Sequence, residues 1–542
     1  MSSSFNQLIK SLRAAKGDSS KLALVTFDFA VKDDLLLRDF AEAAAIPHWF
    51  DATTLGALMP EKATEATNVT KRLQALPMVE VYPAQKSGVA WNIHEATRRA
   101  LRGRMLRNNF DRFLSLSLKA ANNFDDRAKI LNEKEDIRDE SIIWFIEAAW
   151  HRLLTEPKKG AGNLEALVES FLRSHRLEHL QILAALLVEL LEDQFWGPCA
   201  ALLQHDNLVE WTEAQDQLAH VLWELGTRVR PELGKRLLAG SVNVCRATLS
   251  GRPREKQPQE WAVAQNNLGL TLEAQALLSD EHEGAGLLGM AADAFRASLE
   301  VRTRVQIPKG WASTQRNLAN VLEEQGGRTP GVAGLKLLSQ AAAAQRAALK
   351  VFTRHRSQQD WAMTKNNLGN VLQRQAFRSA GREGVKLLRQ AVKVYRDALE
   401  VFTSETSPQE WAMVQSNLGN VFRQLGTRVP GNTGLKFLEK SVAGHLTALE
   451  ARPRERLPQA WAMTQNNLGV ACMTYGDKEQ KRVRKIHLYK RAEKAFLAAL
   501  EIRTKEAMPY YHLRTKANLD MLRMKLKMVQ KGPALGGRSE TL

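Results

Sequence analysis

Cysteine is nearly missing from this chain. Its three examples, Cys199, Cys245 and Cys472, stand far apart, with no CxxC pair and no Cys/His cluster. They neither staple a secreted domain nor hold zinc, and a reducing, cytoplasmic setting is the expectation. Long apolar runs are missing too. No stretch approaches the roughly 18 uninterrupted residues of a membrane helix, so no membrane partner is expected. The first residues, MSSSFNQLIKSLRAAKG, lack the apolar core of a secretory signal. Catalytic signatures are equally scarce: there is no GxxxxGK[ST] loop, no GxSxG, no HExxH and no glycine-rich loop after a strand. His94-Glu95 and His282-Glu283 are isolated pairs in a chain with 12 histidines. No catalytic residue, metal ligand or cofactor is assigned, and the expectation is a protein that is not an enzyme.

What the chain does have is a beat. Tryptophan returns every fifty residues, at Trp211, Trp261, Trp311, Trp361, Trp411 and Trp461. Around the last five the text is nearly constant: QEWAVAQNNLG, KGWASTQRNLA, QDWAMTKNNLG, QEWAMVQSNLG, QAWAMTQNNLG. A fixed period of this length marks an array in which each unit buries its apolar face only against its neighbours. That accounts for a length of 542 residues, which exceeds one ordinary core.

In the copy from Gln358 to Ser407, Trp361, Leu368, Val371 and Leu372 lie on one helical face. The string FRSAGREG then interrupts the pattern, and a second helix is predicted from about Val385 to Thr403. A polar turn follows before the next tryptophan. Each unit is therefore helix A, loop, longer helix B, tight turn. Pro258, Pro308, Pro408 and Pro458 precede helix A, where a missing N–H costs nothing and a fixed φ suits a helix start.

With N-L-G on helix A and Ala391 to Leu399 on helix B, the units resemble tetratricopeptide repeats, and more closely the long-repeat kind of kinesin light chains and bacterial signalling proteins. The likeness covers about residues 205–520. It departs from the family in its period of 50 residues in place of about 34, and in the tryptophan seven residues before the leucine, expected to seal the joint with the preceding helix B. The copy at Trp211 and the one at 510–522 are degenerate, as terminal caps tend to be. The implied fold is mostly α: an α-solenoid of TPR-like hairpins.

In this family the A helices line a concave face. The resemblance implies that Asn267, Asn317, Asn367, Asn417 and Asn467 point into the groove, with Asn320, Asn370 and Asn420 one turn on. An amide side chain can bond both the C=O and the N–H of an extended peptide; the alternative is that these amides bond within the hairpins. Helical spacing adds Arg316, Lys365, Arg374 and Arg423 as basic groove residues against Glu273, Glu323 and Glu324, which would turn the acidic end of a bound segment toward Lys365 to Arg423. Met363, Met413 and Met463 add adaptable apolar surface.

Residues 34–106 read differently: three helical patterns, two short alternating runs (MVEVYP and VAWNIH), and a helix beginning HEATRRALRGRM. Three helices and a hairpin is the winged-helix plan, and WNIHEATRRAL resembles the end of the winged helix in signalling NTPases of the NACHT and NB-ARC (STAND) type. There a histidine at the place of His94 reads the nucleotide's phosphate; with no P-loop here, His94 is expected to be structural. The organisation expected is 1–33 as an N-terminal segment, 34–106 as a small winged-helix-like domain, 107–205 as a linker of irregular helical hairpins with a loop at Pro157–Gly162, 206–509 as six repeats, and 510–542 as a capping helix and tail.

The net charge is +18, and residues 477–542 carry 17 Lys+Arg against 7 Asp+Glu, densest in the run KRVRK. Basic excess favours acidic partners or nucleic acid. The candidate recognition helix of the winged-helix region holds Lys62, Lys71 and Arg72 but also Glu61 and Glu65, a thin positive footprint. A scaffold that binds a protein or peptide with an acidic segment is the leading expectation. A winged-helix nucleic-acid regulator, or the sensor half of a STAND-type NTPase lacking its ATPase, are the alternatives.

Overall fold

The computed structural model describes residues 10–82, 90–132, 139–174, 176–192, 208–505 and 508–531. The chain divides into two compact units, Met1–Ala294 and Phe295–Leu542. Cys199, the AQKSG link at 84–88 and the tail from 532 lie outside the described residues.

The first unit begins with α1 (Ser19–Ala30), α2 (Leu35–Ala44), α3 (Ala52–Leu58), a 3-10 turn (Pro60–Glu65) and α4 (Ala66–Leu73). Asp18, Asp34 and Asp51 cap α1 to α3 by accepting from backbone N–H groups three residues on. Two strands, β1 (Val79–Val81) and β2 (Trp91–Ile93), pair antiparallel with Val79 opposite Ile93. Then come α5 (Glu95–Asn108), α6 (Phe110–Asn132), α7 (Asp139–Thr155), α8 (Pro157–Arg173) and α9 (Leu177–Glu192). The candidate recognition helix bearing Lys62, Lys71 and Arg72 is split between the 3-10 turn, where Lys62 leaves helical geometry at φ −125°, and α4.

The loop expected at Pro157–Gly162 is instead the first turn of α8. Pro157 opens it with its pre-set φ, and Gly160 lies so close to the Leu153 backbone of α7 that a side chain has no room.

One apolar core runs from Phe27 through Trp49, Trp150 and Leu187 to Cys245, so residues 34–106 and the helices after them share an interior. A buried ionic knot sits in it. His48 Nδ1 lies 3.0 Å from Glu147, and Arg98 and Arg102 reach Glu189 at 3.0 and 2.9 Å. Arg102 also donates to the Ala45 and Ile46 carbonyls and lies over the Trp150 ring. Burial alone would raise the Glu189 carboxyl; His48, Arg102 and Arg98 hold it well below the usual range instead. Burial drives His151, beside them, well down, so it is neutral.

The hairpin α10 (Leu208–Gly226) and α11 (Pro231–Gly251) begins the repeats, followed by α12 (Pro258–Leu278) and α13 (Glu281–Val301). In the second unit come α14 (Pro308–Arg328) with α15 (Gly331–Ala348), α16 (Gln358–Arg378) with α17 (Gly381–Leu399), α18 (Pro408–Arg428) with α19 (Gly431–Glu450), α20 (Pro458–Lys478) with α21 (Arg482–Ile502), and a last helix α22 (Pro509–Lys531). In the first unit α10 packs on α11 and α11 on α12; in the second, from α14 to α21, each A helix packs on its helix B and each helix B on the helix that follows. The fold is a helical-repeat array.

The stretch FRSAGREG is mostly helix. α16 continues to Arg378 and α17 starts at Gly381, leaving Ser379 and Ala380 between them. Gly331, Gly381 and Gly431 take φ of +67°, +58° and +67° at that corner, a region other residues avoid. The next glycine along serves an arginine. Arg378 donates to the carbonyls of Gly327 and Thr329, and Arg428 to those of Ala376 and Ser379. Each guanidinium therefore closes the C-terminus of the preceding A helix, where carbonyls are orphaned and the dipole is negative. Gly334 and Gly384 lie directly beneath these two groups.

Candidate functional site

The predicted groove residues all fall on A helices, and the asparagines are neither fully buried nor open. Asn317, Asn320, Asn367, Asn370, Asn417, Asn420 and Asn467 are half-buried in the second unit, as is Asn267 in the first. Several bond to one another across repeats. Asn417 Nδ2 donates to Asn366 Oδ1 at 3.0 Å, Asn366 Nδ2 to Asn367 Oδ1 at 3.2 Å, and Asn367 Nδ2 to Asn320 Oδ1 at 3.1 Å. This is a continuous amide ladder over three hairpins. Asn420 and Asn467 have no hydrogen-bond partner among the described residues.

Helix B supplies the other half of the arrangement, which the sequence reading missed. Gln345 Nε2 donates to Asn320 Oδ1 at 3.1 Å, and the Tyr395 hydroxyl to Asn370 Oδ1 at 2.6 Å. His445 Nδ1 lies 3.3 Å from Ser416 Oγ. The N-L-G glycine exists for these residues. A Cβ on Gly369 would come 2.6 Å from the Tyr395 ring, on Gly419 2.8 Å from His445, and on Gly469 2.6 Å from Phe496. Where helix B offers the slimmer Gln345, the A helix carries Ala319. The signal was available: the one alanine in this place accompanies Gln345, 26 positions on, whereas the glycines have Phe295, Tyr395 and His445 at that distance and Phe496 at 27. Burial pushes His445 down to about 3, aided by Arg423 and Arg452, so its ring is neutral. Its Nε2 has no hydrogen-bond partner among the described residues.

The cations sort differently from expectation. Lys365 is tied to Asp397 at 2.7 Å and lies over the Trp361 ring. Arg316 is tied to Asp360 at 2.8 Å, and Arg374 bridges back to Glu323 at 2.8 Å and Glu324 at 3.0 Å. Burial lifts Glu323 to about 7, with Arg374 opposing and Glu324 assisting. Arg423 is the exception. It is half-buried, with no carboxylate partner among the described residues, and desolvation lowers its guanidinium from the usual value. The equivalent places one hairpin before and after are Gln373 and Met473.

The tryptophans of the repeats, Trp261 to Trp461, are half-buried and not enclosed. Trp311 and Trp361 pack on Ala312, Ala348 and Phe352, and Arg254 and Arg454 lie over Trp261 and Trp461. Trp211 is buried. Met363 and Met413 are half-buried and Met463 is exposed. His94 is exposed at the start of α5.

The basic C-terminal run is partly absorbed. Arg482 donates to the Val529 and Gln530 carbonyls of α22, and Lys525 pairs with Asp477 at 2.6 Å. Within residues 34–106 Lys62 pairs with Asp39 at 2.8 Å and Arg72 with Asp34.

Among the described residues no group of His, Cys, Asp or Glu could hold a metal, and no helix is long and apolar enough to cross a membrane. Cys245 and Cys472 are buried, their thiols pushed up by burial to about 12 and about 11.

The described geometry defines a helical-repeat protein with a polar ridge along its A helices. No protein-family model matches the chain, and no curated protein matches it. Among solved structures it is similar to a STAND (signal transduction ATPase with numerous domains) protein with a tetratricopeptide repeat sensor from Pyrococcus horikoshii, at 10% identity and TM-score 0.32, covering 97% of this chain and 69% of that one. It is also similar to a circular tandem repeat protein with a novel repeat topology, at 12% identity and TM-score 0.21, covering 79% and 94%. Scores this low set no fold by themselves; the repeat architecture rests on the hairpins described above.

Proposed function

We propose that this protein is an interaction scaffold whose A-helix ridge, the concave face of a TPR-like array, holds an extended segment of a partner protein, with an acidic side chain of that segment on Arg423. The winged-helix-like region would fix the array to another component, such as an ATPase acting in trans in signalling. The observation that carries the reading is Arg423 itself: a half-buried guanidinium without a carboxylate, on the same helix as Asn417 and Asn420. A charge in that setting gains by being paired. Asn420 and Asn467, which have no internal hydrogen bonds, supply donors and acceptors for a peptide backbone. The nucleic-acid alternative has less support, because Lys62 and Arg72 are already drawn into ion pairs.

The test is affinity capture from the native cell with the full chain as bait, wild type against Arg423→Gln. Glutamine occupies the same place in the preceding hairpin, at Gln373, so the fold tolerates it. Loss of a desolvated charge pair is worth roughly 2 kcal/mol or more, about thirtyfold in Kd. A partner captured by wild type and lost by Arg423→Gln supports the reading. Equal capture by both refutes it.

A further inference from the structure

A second surface lies apart from the A-helix ridge, along α17. Arg382, Lys386, Arg389 and Lys393 recur at intervals of four, three and four residues, which places them on one helix face. All four are exposed. They border a cleft of about 1170 Å³ whose apolar lining includes Phe377, Val385, Val429 and Pro430. Phe377 is 76% exposed, an unusual place for a phenylalanine in a helix that has a core to join. Arg382, Arg389 and Lys393 have no carboxylate partner among the described residues, and Lys386 has only the exposed Glu383 at 3.6 Å.

The neighbouring hairpins act as internal controls. At the places of Arg382, Arg389 and Lys393 the preceding hairpin has Val332, Ser339 and Ala343, and the following one Asn432, Glu439 and Ala443. Phe377 corresponds to Gly327 and Thr427. Lys386 recurs as Lys336 and Lys436, but Arg382, Arg389, Lys393 and Phe377 belong to this one hairpin, so the repeat fold does not need them.

We propose that this cleft docks an acidic amphipathic segment of a partner protein. Its carboxylates would run along Arg382, Lys386, Arg389 and Lys393, a span of about 16 Å at 1.5 Å per residue, and a bulky apolar side chain would enter against Phe377, Val429 and Pro430. Charge complementarity selects an anion, and the apolar lining selects a peptide over a sugar-phosphate backbone, which has no apolar side chain to bury.

Fluorescence anisotropy on the full chain tests this. The probe is a labelled peptide of about twelve residues with Glu or Asp at intervals of three and four and Leu or Phe on the adjoining helical face, long enough as a helix to span the cations. Its controls are the same peptide with serine for each apolar residue, and a single-stranded oligonucleotide of equal charge. The amphipathic peptide should bind wild type more tightly than either control. The exposed Arg389→Glu/Lys393→Glu pair and the exposed Phe377→Ser should each weaken it by about tenfold or more, while Arg423→Gln leaves it unchanged. Unaltered affinity in the charge-reversed variant overturns the proposal. So does oligonucleotide binding as tight as the peptide's with no effect of Phe377→Ser, which would mark a general polyanion surface. Because Arg423→Gln probes the A-helix ridge separately, either reading can fail without the other.

Discussion

Replacing Gly369 by alanine is the sharpest test of how the hairpins are packed. Alanine is the better helix former, by about 1 kcal/mol, so an unobstructed site should gain. Gly289 in α13 is such a site, with nothing within 4 Å of a built Cβ, and Gly289→Ala should stabilise by about 0.5–1 kcal/mol. At Gly369 the new methyl meets three Tyr395 ring atoms at 2.6, 2.6 and 2.9 Å. Tyr395 is fully buried and its hydroxyl is fixed on Asn370, so the ring cannot swing aside. Overpacking of this kind costs roughly 1–3 kcal/mol. Offsetting the propensity gain leaves a net loss of about 1 kcal/mol, or about 2 kcal/mol relative to the Gly289 control. The rescue is already present in the chain: Ala319 faces Gln345 in the preceding hairpin. Gly369→Ala/Tyr395→Gln should therefore recover more than Tyr395→Gln does alone, with a coupling of about 1–2 kcal/mol in the double-mutant cycle. Urea unfolding followed by far-UV circular dichroism reads each variant at unchanged m. Additive effects, or Gly369→Ala as stabilising as Gly289→Ala, would show that the glycine is not there for the ring.

Two further outcomes follow from buried charge. His445, neutral in the fold with its value lowered from 6.5 to about 3, takes up its proton more readily when unfolded, so stability falls as pH drops from about 6.5 toward 3, by about 1.4 kcal/mol per unit from this group. His445→Phe, which copies Phe496 opposite Gly469, should match wild type within about 1 kcal/mol at pH 7 and lead it by about 2 kcal/mol at pH 5; a constant difference in urea midpoints across that range would refute the assignment. Arg378→Ala removes charged hydrogen bonds to the Thr329 and Gly327 carbonyls and should cost about 2 kcal/mol, whereas Arg396→Ala, exposed and without a partner among the described residues, should leave the melting temperature unmoved.

The hairpins were legible because their determinants are local. An apolar face on each A helix, a proline at four helix starts and a fifty-residue beat each act within one unit, and stacking only repeats them. The corner between helices was misread because glycine has two uses. At Gly381 it permits a positive φ, which does break a helix pattern; at Gly384 it makes room for Arg428 from the next hairpin, which breaks nothing. Only the second depends on a residue far along the chain. The same reason hid the pairing of the groove cations. Lys365 finds Asp397 on its own helix B, and Arg374 finds Glu323 and Glu324 on the previous A helix, and neither partner is marked by spacing on the helix that bears the cation.

The asparagines carry this argument furthest. Their recurrence invited a single role, a row of amides offered to a peptide, yet Asn367 and Asn320 are joined to each other and Asn370 to Tyr395. A half-buried amide gains more from a fixed partner than from solvent, so the ladder holds neighbouring hairpins in register. It does so differently in each: Asn320 with Gln345, Asn370 with Tyr395, and Ser416 with His445. Hairpins this alike in sequence could otherwise stack one unit out of step. A slipped pairing would set Tyr395 against Ala319, whose methyl lies where the ring must go, or leave Gln345 beside a glycine with its space unfilled. Non-identical polar pairs on identical helices thus specify the order of the array, and they leave outside the ladder the side chains that the proposed function uses: Asn420, Asn467 and Arg423.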